Sequence, residues 1–216
     1  MNIIKPINNH QHILDGCFVD PDMKFIFIHI YRNSSISFRN AMGMRKRYFN
    51  FFEVNDNKKI KVIILRNPVT RLVSCYQYLL RLENNGFPEQ YPTHLTEQTL
   101  FYQNRNNVIK SFNQFIEAID DKNFYDATLR PQVQFIEDKE LTIDKIEVVM
   151  LQETIDIDFS VFIKKYNLNI SFFPHDNKCN DDIKNQLLKY IESNKTISSK
   201  IYELYEKDFL LYESIK

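Results

Sequence analysis

Two short apolar runs, each passing through a polar turn into helical periodicity, constrain this chain more than any other feature. Lys24–Ile30 (KFIFIHI) is rich in β-branched and aromatic residues and lacks polar alternation, as expected of a strand buried on both faces. Tyr31-Arg32-Asn33-Ser34-Ser35 follows, and then a helix-like segment from about Ser37 to Arg47. Lys61–Leu65 (KVIIL) repeats the arrangement. Behind it stands Arg66-Asn67-Pro68, where Asn67 suits a helix cap and Pro68 the first helical position. Val69, Leu72, Val73, Tyr76, Leu79 and Leu80 then recur at helical spacing. Strand, polar turn, helix is the opening of an α/β nucleotide-binding unit.

The rest of the chain continues the alternation. Phe49–Val54 is expected to be a strand ending in the turn Asn55-Asp56-Asn57. Ser111-Phe-Asn-Gln114 reads as a capping box opening an amphipathic helix with Phe112, Phe115, Ile116 and Ile119. Ile146–Leu151 is a further strand, Asp158 is expected to cap the next helix, and the tail from Ile183 is helical. The predicted fold is a P-loop-like three-layer α/β domain, with a central, mainly parallel sheet flanked by helices. Its 216 residues suit one domain over 1–216. Within it, 1–22 form an irregular lead-in and 84–107 a long surface loop suited to substrate contacts.

Charge and cysteine usage narrow the function. Lys+Arg and Asp+Glu each number 28, which argues against a nucleic-acid coat or a polybasic membrane binder and leaves room for a local cationic pocket. Cys17, Cys75 and Cys179 form no CxxC pair and fit a reducing compartment. No apolar run approaches the roughly 18 residues of a membrane span, and Met-Asn-Ile-Ile-Lys-Pro is no signal peptide, so a cytoplasmic location is expected. The five His residues (10, 12, 29, 94 and 175) form no ligand cluster, so no metal is expected; His29, among apolar neighbours, is expected to pack inside the sheet.

None of the three glycines (Gly16, Gly43, Gly86) lies in a GxxxxGK(S/T) or GxGxxG pattern, which disfavours a Walker-type ATPase, a P-loop kinase and a Rossmann oxidoreductase. The Tyr31–Ile36 loop nevertheless stands between the first strand and its helix, where N–H groups attract anions. Arg32, Asn33, Ser34, Ser35 and Ser37 would add side-chain donors. A polar turn with a serine capping the helix explains the same residues. Arg66 follows the second apolar strand, and Arg71 and Ser74 lie three apart on the next helix. Ligands bind outside the carboxyl ends of parallel strands, so two such clusters suggest a ligand with two anionic ends. Arg66 paired with a carboxylate and Ser74 packed in a helix interface is the structural alternative.

Together these residues resemble the sulfotransferase superfamily, and within it the bacterial, phage and Golgi carbohydrate sulfotransferases. A strand running into H-I-P-K and a small, hydroxyl-rich turn is matched by His29-Ile30-Tyr31-Arg32-Asn33-Ser34-Ser35-Ile36-Ser37. R-(D/N)-P-x-x-R-x-x-S-x-Y is matched at each fixed position by Arg66, Asn67, Pro68, Arg71, Ser74 and Tyr76. Phe112 and Phe115 with Arg130-Pro131-Gln132, the strand ending in Glu153, and Tyr205–Phe209 (Y-x-x-D-F) also fit, so the likeness spans 24–212.

The resemblance implies transfer of a sulfuryl group from 3′-phosphoadenosine 5′-phosphosulfate (PAPS) to a hydroxyl or amine of a carbohydrate. It assigns the 5′-phosphosulfate to Arg32, Asn33, Ser34, Ser35, Ile36 and Ser37, and the 3′-phosphate to Arg66 and Ser74. The family's loop lysine, which reaches the bridging oxygen between phosphate and sulfate, is Arg32 here. Tyr31 replaces a Pro, Ile36 a Thr or Ser, and Thr128 a His. Glu53, near the end of the expected second strand, is the first candidate for the base that deprotonates the acceptor, and His94 the second. Lys178 and Cys179 lie where the family closes over the nucleotide. A catalytically silent relative that binds PAPS or a glycan is the alternative function.

Overall fold

The computed structural model describes residues 17–47, 58–84, 106–119, 128–174 and 181–216. β1 (Cys17–Val19), β2 (Phe25–Ile28), β3 (Arg45–Arg47), β4 (Ile60–Leu65) and β5 (Val148–Leu151) form one sheet in the order β3-β1-β2-β4-β5. β2 pairs parallel with β4, and β4 with β5, whereas β1 runs antiparallel to both β2 and β3. All strands but β1 therefore share one direction, and the sheet is mainly parallel as expected. The helices are α1 (Ser35–Ala41), α2 (Pro68–Asn84), α3 (Val108–Ala118), α4 (Gln132–Glu137), α5 (Ile155–Lys165), α6 (Asp181–Ser193), α7 (Lys195–Leu204) and α8 (Glu206–Ile215). Among the described residues no helix is long and apolar enough to cross a membrane.

Strand periodicity sorts the core into layers. Phe25, Phe27, Val62, Ile64 and Met150 point to one face, where Phe38 of α1 and Ile155, Phe159 and Phe162 of α5 cover them. Ile26, Ile28, Ile63 and Leu65 point to the other, against Phe135 and Ile136 of α4, with Leu211 and Ile215 of α8 packed on that cluster. A third cluster lies among the helices and joins Leu72, Val73, Tyr76 and Leu79 of α2 to Phe112 and Phe115 of α3, Leu187 of α6 and Ile201 of α7. The result is a sheet sandwiched by helices, as the apolar runs demand.

Several local expectations change. The lead-in contains β1: Asp20 turns the chain back by accepting the Phe25 N–H at 2.6 Å through Oδ1, so Cys17–Val19 pairs with β2. The helix expected from Ser37 to Arg47 ends at Ala41, and Arg45–Arg47 is strand β3. Gly43 stops it: at φ +60 it places its N–H on Asn40 O and the Met44 N–H on Arg39 O, a left-handed cap. The α3 helix starts at Val108 with Asn107 as its cap, and buried Ser111 instead accepts from the Tyr76 hydroxyl at 2.8 Å. Asp158 lies inside α5, where its Oδ2 accepts from Leu151 N–H and the Thr154 hydroxyl, each at 2.8 Å. Asn67 does cap α2, accepting from Val69 and Thr70 N–H at 3.0 and 3.2 Å, with Pro68 as its first residue. The expected strand Phe49–Val54, Glu53, His94, Lys178, Cys179 and residues 85–105 of the surface loop lie outside the described residues.

Candidate active site

β2, β4 and β5 lie side by side and end together, so the segments after Ile28, Leu65 and Leu151 meet at one carboxyl edge. Ligands of open α/β sheets bind at this edge. The loop after β2 is held in an uncommon shape. Arg32 at φ +69 and Ser34 at φ +52 are both left-handed, a conformation that costs non-glycine residues roughly 1–3 kcal/mol and clusters at functional sites. Left-handed residues in such a turn aim backbone N–H groups toward one side, a geometry that favours anions.

The side chains around the loop explain how that strain is held. Asn33, 1% exposed, donates through Nδ2 to Ile64 O at 2.8 Å and to Gln132 Oε1 at 2.6 Å. Ser35 donates to Ile30 O at 2.6 Å, and Ser37 is buried. The Asn33 and Ser35 side chains therefore fix the loop from inside, and Ser37 is buried beside them. Ser34 is half-buried and Ile36 is 43% exposed.

Arg66 and Ser74 meet the loop from the β4 side. Arg66 donates through Nε to the Thr70 hydroxyl at 3.1 Å and through Nη1 to Arg32 O at 2.9 Å. Arg32 turns toward α2, where Nε and Nη2 donate to Ser74 Oγ at 3.2 and 3.0 Å. Its guanidinium centre stands 4.7 Å from the centre of the Tyr78 ring. The structure thus joins residues that the sequence assigns to opposite ends of one ligand.

Three residues brace the arrangement. Gln132 accepts Arg66 N–H at 2.9 Å through Oε1, donates through Nε2 to Arg66 O at 2.8 Å, and reaches Asn33 as above. Asp208 of α8 accepts Gln132 N–H at 2.7 Å and Val133 N–H at 2.9 Å. Burial pushes its carboxyl above the usual range, while the Arg71 charge and these N–H groups pull it back. Arg71, 2% exposed, donates to Tyr31 O, Thr128 O and Arg130 O at 3.1, 3.2 and 2.8 Å. Motif matching picks out Gln132, Arg71 and Asp208 but gives no hint that they act as braces. Tyr78 was missed, although its place one helical turn beyond Ser74 is legible.

His29 is also displaced from its expected place. It lies just beyond β2 and is half-buried, with its ring centre 5.4 Å from that of Phe18 and 4.5 Å from that of Tyr31. β2 ends at Ile28, one residue before it, so His29 stands at the carboxyl end of the strand beside the loop.

Glu153, after β5, latches the C-terminal helix to this edge. Its Oε1 accepts Asn67 N–H at 3.1 Å and the Thr70 hydroxyl at 3.0 Å, and its Oε2 accepts the Tyr212 hydroxyl at 3.1 Å. Burial first, then the Glu153 charge, pushes the Tyr212 phenol up to about 12. A group whose folded pKa is raised adds stability below its unfolded value and loses it as pH rises through the folded one. The unfolding-midpoint advantage of wild type over Tyr212→Phe is therefore expected to hold up to the ordinary tyrosine value of about 10 and to vanish as pH passes about 12. An advantage that stays constant across that interval would place the phenol outside the latch.

Among the described residues no group of three or more His, Cys, Asp and Glu side chains could hold a metal ion. No curated protein and no solved structure matches the chain. The sulfotransferase family does, over residues 15–213, which takes in every described strand and the anion-suited edge from Arg32 to Glu153. With that match over almost the whole chain, on a mainly parallel sheet with this loop at its carboxyl edge, the protein belongs to the sulfotransferase family.

Proposed function

We propose that the protein moves a sulfuryl group from PAPS to a hydroxyl or amine of a carbohydrate acceptor. The observation that carries this reading is that Arg32 stands on Ser74 while Arg66 holds the carbonyl of Arg32 in the strained loop at the carboxyl edge. A cationic edge beside a turn of left-handed residues suits a donor with a phosphosulfate at one end and a phosphate at the other. In this reading the backbone of 32–37 holds the 5′-phosphosulfate, while Asn33 and Ser35 keep the loop in shape. Arg66 and Ser74 hold the 3′-phosphate. The sugar is chosen by family likeness.

The reaction forms a bond from the acceptor oxygen or nitrogen to sulfur and breaks the bond from sulfur to the 5′-phosphate oxygen. The electron pair of the broken bond stays on that phosphate, giving 3′-phosphoadenosine 5′-phosphate (PAP), and the acceptor proton passes to a base. Charge grows on the leaving oxygen, so fixed N–H donors of the loop stabilise the transition state. His29 is the base we favour, because it stands on this edge three residues before Arg32. Both Glu153 oxygens are engaged by Asn67, Thr70 and Tyr212. Glu53 and His94 are the alternatives drawn from the sequence.

One observation favours a second reading. Ile36, 43% exposed, stands where the sequence resemblance implies a hydroxyl residue, which suits a protein that holds the donor without turning it over. Calorimetric titration with PAP and with ATP, and transfer of labelled sulfate from PAPS to a saccharide panel, decide between them. PAP is expected to bind at least about tenfold tighter than ATP, and the label to reach a saccharide. PAP binding without transfer would leave the silent relative. ATP binding as tight as PAP binding would remove the donor assignment.

A further inference from the structure

Arg32 is the residue at which this chain departs most from its family, and the structure gives the departure a direction. Two of its donors, Nε and Nη2, converge on Ser74 Oγ at 3.2 and 3.0 Å. The guanidinium also packs on Tyr78, one helical turn beyond Ser74, at 4.7 Å. Its backbone is fixed as well: φ is +69, and its carbonyl accepts from Arg66 Nη1 at 2.9 Å. The Arg32 side chain thus leans away from its own loop and stands on α2 with Ser74, while Arg66 holds its main chain.

Resting on the donor reading above, the geometry points to Arg32 as a determinant of 3′-phosphate recognition, acting with Arg66 and Ser74. The family's lysine serves the other end of the donor. Lysine carries a compact point charge on a flexible stem, whereas arginine offers a planar fork that engages a hydroxyl and a phosphate together. The Arg32 guanidinium lies on Ser74 Oγ and the Arg66 guanidinium on Thr70 and the Arg32 carbonyl, so a dianion beside Ser74 would be drawn by both charges. A terminal phosphate has the charge and the oxygens for this; a bare ribose hydroxyl has neither. In this chain, donor selectivity rests on two arginines, and stabilisation of the leaving phosphate falls to the backbone N–H groups of the loop.

The test compares PAP with adenosine 5′-monophosphate, which lacks the 3′-phosphate, by calorimetry on wild type, Arg32→Ala, Arg32→Lys and Ser74→Ala. Arg32→Ala and Arg32→Lys are both expected to weaken PAP by about 10- to 100-fold, the scale of a hydrogen bond to a charged group. Affinity for the monophosphate should stay within about twofold. Combined with Ser74→Ala, Arg32→Ala should cost less than the product of the two single losses, because the partners share one ligand. Suppose wild type prefers PAP but the Arg32 variants lose both nucleotides equally, or neither. The donor reading then stands and the Arg32 assignment falls. If wild type binds PAP and the monophosphate alike, the donor reading falls and the assignment with it. The Lys variant keeps the charge and most of the side-chain volume, so the comparison survives if Arg32→Ala unfolds.

Discussion

Replacing Arg71 by methionine is expected to lower the unfolding free energy by about 3–5 kcal/mol, the cost of stripping one partner from a buried charged network. The guanidinium is 2% exposed and donates to the carbonyls of Tyr31, Thr128 and Arg130. It also supplies the positive charge that holds down the carboxyl of buried Asp208. Methionine fills similar volume but withdraws the guanidinium donors from three carbonyls and the charge that offsets burial of the Asp208 carboxyl. A domain of this size has only about 5–15 kcal/mol of stability, so the variant would stand close to unfolding. Lysine in the same place keeps the charge, yet one ammonium cannot reproduce a planar fork spanning three acceptors. Arg71→Lys should therefore fall between wild type and Arg71→Met. The urea midpoint is the measurement. Adding Asp208→Asn to Arg71→Met should cost less than the sum of the single losses, since the buried carboxylate charge that Arg71 offsets is then gone. A loss below about 1 kcal/mol for Arg71→Met would mean that the carbonyls find other donors, and the brace would have to be sought elsewhere.

What the sequence revealed follows from which physical signals are local. β2 and β4 are apolar runs buried on both faces, and that pattern needs no tertiary knowledge. Asn67 before Pro68 is a cap signal that the fold leaves in place. β1 and β3 have three residues each, too few for a period to show. Ser111 and Asp158 have the chemistry of caps, but Tyr76 takes the serine hydroxyl and the end of β5 takes the carboxylate. Tertiary partners outbid the local role in both cases.

The site divides the same way. Spacing puts Arg66 just after β4 and Ser74 on the face of α2 that meets Arg32, because one turn of helix is a local fact. Which loop side chains point outward is not local. Asn33 and Ser35 are donors by type, and the fold spends them on Ile64, Gln132 and Ile30. The direction of Arg32 depends on its left-handed backbone and on Tyr78, and neither is visible in a motif. His29 looks like core because the six residues around it are mostly apolar, yet β2 ends at Ile28. One residue of strand length decides whether that imidazole is buried or stands at the edge.

That placement underlies the other large effect expected here. If His29 accepts the acceptor proton, His29→Gln should lower kcat for sulfate transfer by about 100- to 10 000-fold, the range of general base catalysis. PAP affinity should change by less than about twofold, because a base acts on the acceptor and leaves the nucleotide's phosphates untouched. Glutamine keeps a polar group of similar reach but gives up the ring contacts with Phe18 and Tyr31, so PAP affinity is the control for a packing effect. The pH profile separates a base from a mere prop. An imidazolium cannot take a proton, so wild-type kcat/KM should fall on the acid side, and the residual activity of the variant should lose that limb. A prop would lower activity evenly and leave the profile's shape intact. Glu53→Gln and His94→Gln, tested alongside, decide where the role goes if His29→Gln retains full turnover. Should one of them remove the acid limb while His29→Gln keeps it, the base lies on that residue, and His29 serves only to pack Tyr31 at the start of the loop.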